Sequence, residues 1–391
     1  MSIRLTRLRL NSAHPFKSFT RPYTLGIPSI KTNDIIRILA IESSCDDSCA
    51  AIIDSNRTIH SNIIISQAKV HAVYQGIHPY HAINAHQLNI PIAIREAIKE
   101  AKIPLEEIDA IAYTRGPGIA GCLAVGATAA KTLSVAFSKP LISVHHMQAH
   151  TLTPFLTESE PIRFPFLSLL VSGGHTLLIL VKSTFEFKIL AQTVDESIGS
   201  TIDKVTRDLL GHSGGGPALE AFINEPNLDP SPSKPEPPLP VAQRTGPDTF
   251  SFCGLRTATV RRISDPISID VKREIGKAFL EAAIAQLERK VRYWIQELKS
   301  QDIQISGLVL SGGVASNTML RNRMKDMLKE VDPGLNFMVP PKELCRDNAA
   351  MIGWTGLDKL SRGKITKKPA EPDDLQTDEE PNSEEGDDGE H

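Results

Sequence analysis

The chain contains no Cys-x-x-Cys pair: its five cysteines stand at 45, 49, 122, 253 and 345. That pattern supplies no disulfide framework and fits a reducing compartment. No uninterrupted apolar run reaches the length a bilayer-spanning helix needs, so no membrane span is expected. The nucleotide-binding signatures with fixed spelling are missing as well. There is no Gly-Lys-Ser/Thr of a Walker loop, and no Gly-x-Gly-x-x-Gly follows the first apolar strand. No Cys-His or Ser-His-Asp arrangement offers a side-chain nucleophile. Acid is absent from the first 33 residues, which carry Arg4, Arg7, Arg9, Lys17, Arg21 and Lys31 among frequent Ser and Thr. Such a basic, hydroxylated, acid-free stretch predicts a mitochondrial transit peptide over residues 1–34 and a matrix location.

What is present is enough for a large core: 391 residues, 41% of them hydrophobic, which predicts two lobes. The net charge of −3 hides a division. Glu371 to His391 holds eleven acids in twenty-one residues, a self-repelling block expected to be a disordered tail over 363–391. Without it the remainder is +8, of which +6 lies in the basic leader, so the body is only mildly basic. That permits contact with nucleic acid without requiring it.

Between these ends the pattern is α/β. Ile35–Ile41 reads as an apolar strand ending in Glu42-Ser43-Ser44-Cys45-Asp46-Asp47, with a second strand resuming at Ala50–Ile53. The plan returns at Phe166–Val171, Ser172-Gly173-Gly174-His175 and Thr176–Val181. Two related lobes, or two unrelated hairpins, both produce this. Further strands are expected at Ile108–Thr114, Leu141–Val144 and Gly307–Leu310. Helices are expected at His86–Lys102, Gly121–Phe137, Val205–Leu210, Val271–Lys299 and from Thr318. Residues 224–248 carry eight prolines and read as an irregular insertion. The lobes are expected to divide near residue 150, as 35–150 and 151–362, with the last helix able to return to the first lobe.

His146 and His150 are four apart, so on a helix their rings share one face and can grip one cation. Ordinary helix histidines also show this spacing. A distant carboxylate such as Asp347 can complete the set and leave positions open. The spacing resembles a zinc-protease helix, but the general-base position there holds Met147, which cannot carry a proton. Ser172-Gly173-Gly174 and Ser311-Gly312-Gly313 each follow an apolar strand. Their amides can face phosphate oxygens, and Asn317 stands beside the second. Asp203 can accept from ribose hydroxyls, or can serve simply as an acid at a helix start. Gly214-Gly215-Gly216-Pro217, with Glu220 a turn later, reads as a turn that can lie against a ligand.

Six segments then occur together and in order: Ile41–Asp47, Val144–His150, Leu170–Thr176, Phe250–Leu255, Ser311–Asn317 and Asp347–Ile352. As a set they resemble the TsaD/Kae/Qri family of tRNA N6-adenosine threonylcarbamoyltransferases, over roughly residues 38–360. With the basic leader they point to its mitochondrial branch. The resemblance implies an actin-like ATPase (ASKHA) fold. It implies transfer of threonylcarbamoyl from threonylcarbamoyl-AMP, supplied by a Sua/YrdC-type synthase. The acceptor would be N6 of the adenosine just 3′ of the anticodon (position 37) in tRNAs reading codons that begin with A. By position, His146, His150 and Asp347 would ligate one divalent cation per subunit, whether Fe, Zn, Mg or Mn. Leu170, Val171, Ser172, Gly173, Gly174, Asp203, Gly216, Glu220 and Asn317 would hold the donor. Asp46 matches a position implicated in activity, and the branch implies a homodimer.

Such a donor is a mixed carbamic–phosphoric anhydride. A cation can neutralise its phosphate and carbamoyl oxygens while a carboxylate such as Asp46 takes the amine's proton. An unpaired loop adenosine can be splayed into a pocket. The chain departs from the family in places. A common Pro-Glu-x-x-x-Arg-x-His is here Pro79-Tyr80-His81-Ala82-Ile83-Asn84-Ala85-His86. Ser200, Thr201 and Ile202 replace Glu-Ala-Phe before Asp203, and Cys253 and Arg256 replace Ser and Lys. Three rival readings are a metalloprotease, a small-molecule kinase of the same fold and a non-catalytic nucleotide-binding scaffold. Met147 argues against the first, and the dedicated His-His-Asp set argues against the second. Loss of a metal ligand would have favoured the third, and none is lost.

Overall fold

The computed structural model describes residues 35–362 apart from 75, 159–161, 213, 227–238, 240–245 and 264–266. The basic leader, the acidic tail and most of the proline-rich segment therefore lie outside the described residues. Among the described residues, eleven strands form two mixed sheets. The first contains β1 (Arg37–Glu42), β2 (Asp47–Asp54), β3 (Ile59–Ser66), β4 (Ala110–Gly116) and β5 (Leu141–His145), in the order β3-β2-β1-β4-β5. The second contains β6 (Phe166–Val171), β7 (Thr176–Val181), β8 (Phe187–Thr193), β9 (Thr249–Phe250), β10 (Gly307–Ser311) and β11 (Asn336–Met338), in the order β11-β10-β6-β7-β8-β9. With β9 set aside, the two orders are the same. An antiparallel three-strand meander (β1–β3, β6–β8) is extended on its first strand by two parallel strands (β4–β5, β10–β11). The shared plan of the two hairpins is thus a repeated lobe.

The helices are α1 (Ala68–Ala72), α2 (Pro79–Ala101), α3 (Ala120–Ala136), α4 (His146–Leu152), α5 (Pro154–Thr157), α6 (Ile198–Leu210), α7 (Gly215–Asn224), α8 (Cys253–Val260), α9 (Ile269–Ser300), α10 (Thr318–Val331), α11 (Lys342–Cys345) and α12 (Ala349–Ser361). None of those described is long and apolar enough to cross a membrane. Boundaries moved where caps outweighed periodicity. α2 begins seven residues before the expected His86, because Pro79 occupies its first turn, where a missing N–H costs nothing. α6 begins at Ile198 rather than Val205, because the Ser197 side chain caps it by accepting from the Ser200 N–H.

Both faces of the first sheet are covered, which is why β1 and β2 read as continuous apolar runs. Leu39, Ile41, Ile52 and Ala50 face α2 and α3, while Ile38, Ala40, Cys49 and Ile53 face α12. α12 approaches closely through Gly353 and Gly356. A Cβ on Gly353 would sit 3.0 Å from Ile53 and 3.2 Å from Ala40, and one on Gly356 3.0 Å from Ala112. The second sheet rests on α6 and on the 32-residue α9, with Phe250, Phe252 and Phe279 fully buried between them. α4 follows β5 directly and touches β6 and β10, so it sits where the two sheets meet.

Candidate functional site

β1 ends in Glu42, whose side chain is fully buried. Its carboxylate accepts from the Ser44 N–H at 2.5 Å, from the Thr114 hydroxyl, and from His146 Nδ1–H at 3.1 Å. That last bond fixes the His146 tautomer and turns Nε2 outward. His146 Nε2 then lies 3.4 Å from Asp347 Oδ1, and His150 Nε2 lies 3.1 Å from the same oxygen. The two imidazoles stand edge to face, centroids 4.7 Å apart, as residues one turn apart on α4. One nitrogen or oxygen from each of His146, His150 and Asp347 falls within 4.8 Å of the others. The structure therefore unites a pair and a residue 197 positions away.

Burial works against charge on His146, but Glu42 and Asp347 outweigh it and hold its imidazolium well above the usual histidine range. Asp347 is held well below the carboxylate range despite its own burial, chiefly by His146. His150, fully buried, is pushed down by burial, and its Nδ1 has no hydrogen-bond partner among the described residues. A neutral imidazole and a carboxylate, with a second imidazole oriented by a buried acid, form a donor set suited to a first-row divalent cation. Nitrogen and oxygen ligands around one such ion stand roughly 3.4 Å apart in a tetrahedral site, close to the separations here. The residues fit a metal.

Asp46 occupies the turn between β1 and β2. Burial, then Asp47 and Asp347, raise its carboxyl to about 6. His86 steadies this turn. It is fully buried, its Nε2–H donates to the Cys45 carbonyl at 3.0 Å, and its Nδ1 lies 2.8 Å from the Ser48 hydroxyl. That explains a histidine that stays where its sequence neighbours do not match the family pattern.

In the second lobe β6 and β10 are parallel neighbours, with Leu170 opposite Ser311. Ser172-Gly173-Gly174 and Ser311-Gly312-Gly313 therefore lie side by side at the same sheet end. Gly312 has φ 90° and ψ 163°, and a Cβ there would come within 2.7 Å of the Val171 carbonyl carbon. That backbone region is essentially reserved for glycine. A Cβ on Gly199 would lie 2.5 Å from the Ser172 carbonyl oxygen, so α6 begins directly on the first loop. Leu170 and Val171 are fully buried, so their side chains belong to the core and only backbone at the strand end can meet a ligand.

Asp203 lies in the second turn of α6 and not ahead of it. Burial raises its carboxyl, while the Gly216 backbone N–H hydrogen-bonds to it. Gly215, Gly216 and Pro217 form the first turn of α7 rather than a loose turn. Glu220 accepts from the Thr318 N–H at 2.9 Å and from Asn317 Nδ2 at 3.3 Å. Asn317 caps α10 by accepting from the Leu320 N–H at 2.9 Å. Asp203 with Gly216, and Glu220 with Asn317, thus form two bonded pairs joined by α7.

Three contributors escaped sequence reasoning: Glu42, His175 and Asp195. An acid ending a central apolar strand was the available signal for Glu42. His175, closing the first glycine loop, is lowered by burial and by the charges of His146 and His150. The first glycine loop thus lies within reach of the charges of the His146–His150–Asp347 cluster. Asp195 accepts from the Ser251 hydroxyl at 2.6 Å and from the Phe252 N–H at 2.9 Å, which pins the Phe250–Leu255 segment.

Among solved structures the fold resembles full-length HypF in its phosphate- and nucleotide-bound form. The TM-score is 0.53 at 14% identity, covering 85% of this chain and 47% of that one. Two sheets of repeated order flanked by helices are those of an actin-like ATPase fold. A protein of Paramagnetospirillum magneticum (strain ATCC 700264 / AMB-1) called tRNA N6-adenosine threonylcarbamoyltransferase is 37% identical over 331 residues, 84% of this chain and 92% of that protein. One of the same name from Persephonella marina (strain DSM 14350 / EX-H1) is 37% identical over 334 residues, 85% and 92% of the respective lengths. The family model described as "TsaD: tRNA N6-adenosine threonylcarbamoyltransferase" matches residues 58–354. By these matches the chain belongs to the TsaD family of tRNA N6-adenosine threonylcarbamoyltransferases and is a transferase.

Proposed function

We propose that the chain moves a threonylcarbamoyl group from threonylcarbamoyl-AMP to N6 of adenosine 37 in mitochondrial tRNAs that read codons beginning with A. The observation that carries this reading is geometric: the ligand atoms of His146, His150 and Asp347 lie within 4.8 Å of one another, and the two glycine loops end neighbouring parallel strands. The charges of Asp347 on Asp46 and of His146 and His150 on His175 agree with that proximity. The donor's phosphate would lie on the backbone of Ser172–Gly174 and Ser311–Gly313, and its ribose at Asp203, Gly216 and the Glu220–Asn317 pair. His146, His150 and Asp347 would hold the divalent cation. When bound, it would supply positive charge to the anhydride oxygens and make AMP a better leaving group. Glu42 keeps His146 facing that position. The acceptor amine attacks the carbamoyl carbon, the bond to the phosphate oxygen breaks, and Asp46 accepts the proton the amine loses.

The matrix location rests on the basic, acid-free leader. A homodimer is supported by an apolar stripe left open on α2. Tyr80, Leu88 and Ile92 recur at helical spacing and are 64%, 72% and 40% exposed, with Val73 and Ile77 exposed just before them. A Sua/YrdC-type synthase would supply the donor. The test is to mix the protein with mitochondrial tRNAs, threonylcarbamoyl-AMP and a divalent metal, digest the tRNA, and look for N6-threonylcarbamoyladenosine by mass spectrometry. Product restricted to tRNAs reading such codons, and lost with His146→Ala, is expected. Tight adenylate binding with no product under any metal would return the scaffold reading.

A further inference from the structure

α4 presents two faces to two places. His146 and His150 go to the metal cluster, whereas Met147 and Gln148 line a separate cavity of about 420 Å³. Its apolar wall comes from the outer face of the second sheet, through Leu177 and Ile179 of β7, Phe187 and Ile189 of β8, and Phe185 before β8. Phe185 and Ile189 are left 38% and 54% exposed. The opposite side carries two cationic residues, Arg115 near the end of β4 and Lys359 of α12. On that side His145 ends β5, its imidazole pushed down to about 4 by burial and the charge of His146. Among the described residues, no Asp or Glu lines the cavity.

We propose that this cavity is a binding site for a small amphipathic carboxylate, its apolar body on Leu177, Phe187 and Ile189 and its anionic head at Lys359 and Arg115. The volume is that of an ordinary small-molecule site, and a mostly apolar lining with few polar groups at one end is how such sites fix orientation. Lys359 Nζ gives one hydrogen bond to the Ser143 carbonyl at 2.9 Å, and an ammonium has three to give. Among the described residues no carboxylate pairs with Lys359, and the adjacent Asp358 accepts instead from Arg362 at 2.9 Å. Burial and the charge of Arg115 push the Lys359 amine down to about 8. A bound anion would oppose both effects. The site is independent of the reading given for the metal cleft.

The test uses the full-length protein and naphthalene-2-carboxylate as probe, with neutral naphthalene-2-carboxamide of the same shape as control, both followed by calorimetry. The acid is expected to bind more tightly than the amide. Lys359→Gln should weaken the acid about 10-fold, the scale of one charge-assisted hydrogen bond, and leave the amide unchanged. Ile189→Glu, at a half-exposed wall position, should weaken both. No acid binding at millimolar concentration overturns the site. So does acid binding that neither substitution moves, because the probe then sits elsewhere. Equal affinity for acid and amide overturns the anionic half of the assignment.

Discussion

The hairpin turns of the two lobes occupy the same place in sheets of the same order, yet they carry opposite chemistry. The turn from β1 into β2 runs from Glu42 through Asp46 to Asp47; between β6 and β7 stand Ser172, Gly173, Gly174 and His175. The first turn is a cluster of acids, of which Glu42 is held by the Ser44 N–H and the Thr114 hydroxyl and orients an imidazole, while Asp46 can take a proton. The second is nearly side-chain-free and offers backbone amides. On the function proposed above, the repeated scaffold would divide cation and proton handling on one side from phosphate contact on the other.

The division is broken hardest at the first lobe's partners. His146→Ala or Asp347→Ala should lower transfer by more than about 100-fold, since even outer partners of metal ligands are worth 10–100-fold. A titration of metal content alongside the transfer assay checks this. Glu42→Gln should weaken metal binding by roughly 10–100-fold with little change in donor affinity. Equal losses in both would mean that the two turns are not separate in function.

On the other side, Gly312→Ala forces a side chain into a backbone region reserved for glycine and against Val171. About 1–3 kcal/mol of stability should be lost, with weaker adenylate binding and unchanged metal affinity. Denaturant melts and metal titration together decide it. Asp46→Asn should flatten the pH dependence of kcat/KM. A base must be unprotonated, so the native rate should rise with pH to a plateau. Its midpoint should lie at or below about 6, where burial and the neighbouring acids hold Asp46, because a bound cation pulls the carboxyl down.

The gentlest test concerns protons alone. In the metal-free protein His146 is charged, held well above the usual range by Glu42 and Asp347, and a cation needs it neutral. Metal uptake at pH 7 should therefore release about one proton, and affinity should rise with pH until the raised His146 pKa is passed. Calorimetry in two buffers of different ionisation enthalpy reads the number. The sign for folding stability is opposite. The His146 contribution is full below pH 6.5 and fades as pH rises through its raised pKa, whereas that of Asp347 is full above pH 3.8 and fades on acidification.

Much of this was legible before any coordinates. Apolar runs placed β6 and β7 to the residue, because strands covered on both faces leave an unbroken signal. The two imidazoles were readable from spacing, whereas Asp347 was a candidate that only the family motif singled out, since nothing local ties a residue to a partner 197 positions away. The start of α6 was missed because a cap is a single residue, Ser197, while periodicity needs several turns to register. Asp203 was placed ahead of that helix for the same reason. The bonded pair of Glu220 and Asn317 was invisible because it depends on two helices that share no sequence neighbourhood.

α12 gives the first lobe one of its two faces, yet it is made about two hundred residues after β5. Until it emerges from the ribosome, Ile38, Ala40 and Ile53 lack the helix that covers most of their face of the sheet. Asp347 stands two residues before that helix. The step that closes the first lobe is therefore the same step that brings Asp347 to His146 and His150, so on the proposed reading a nascent chain would complete its metal site only as its first lobe shuts.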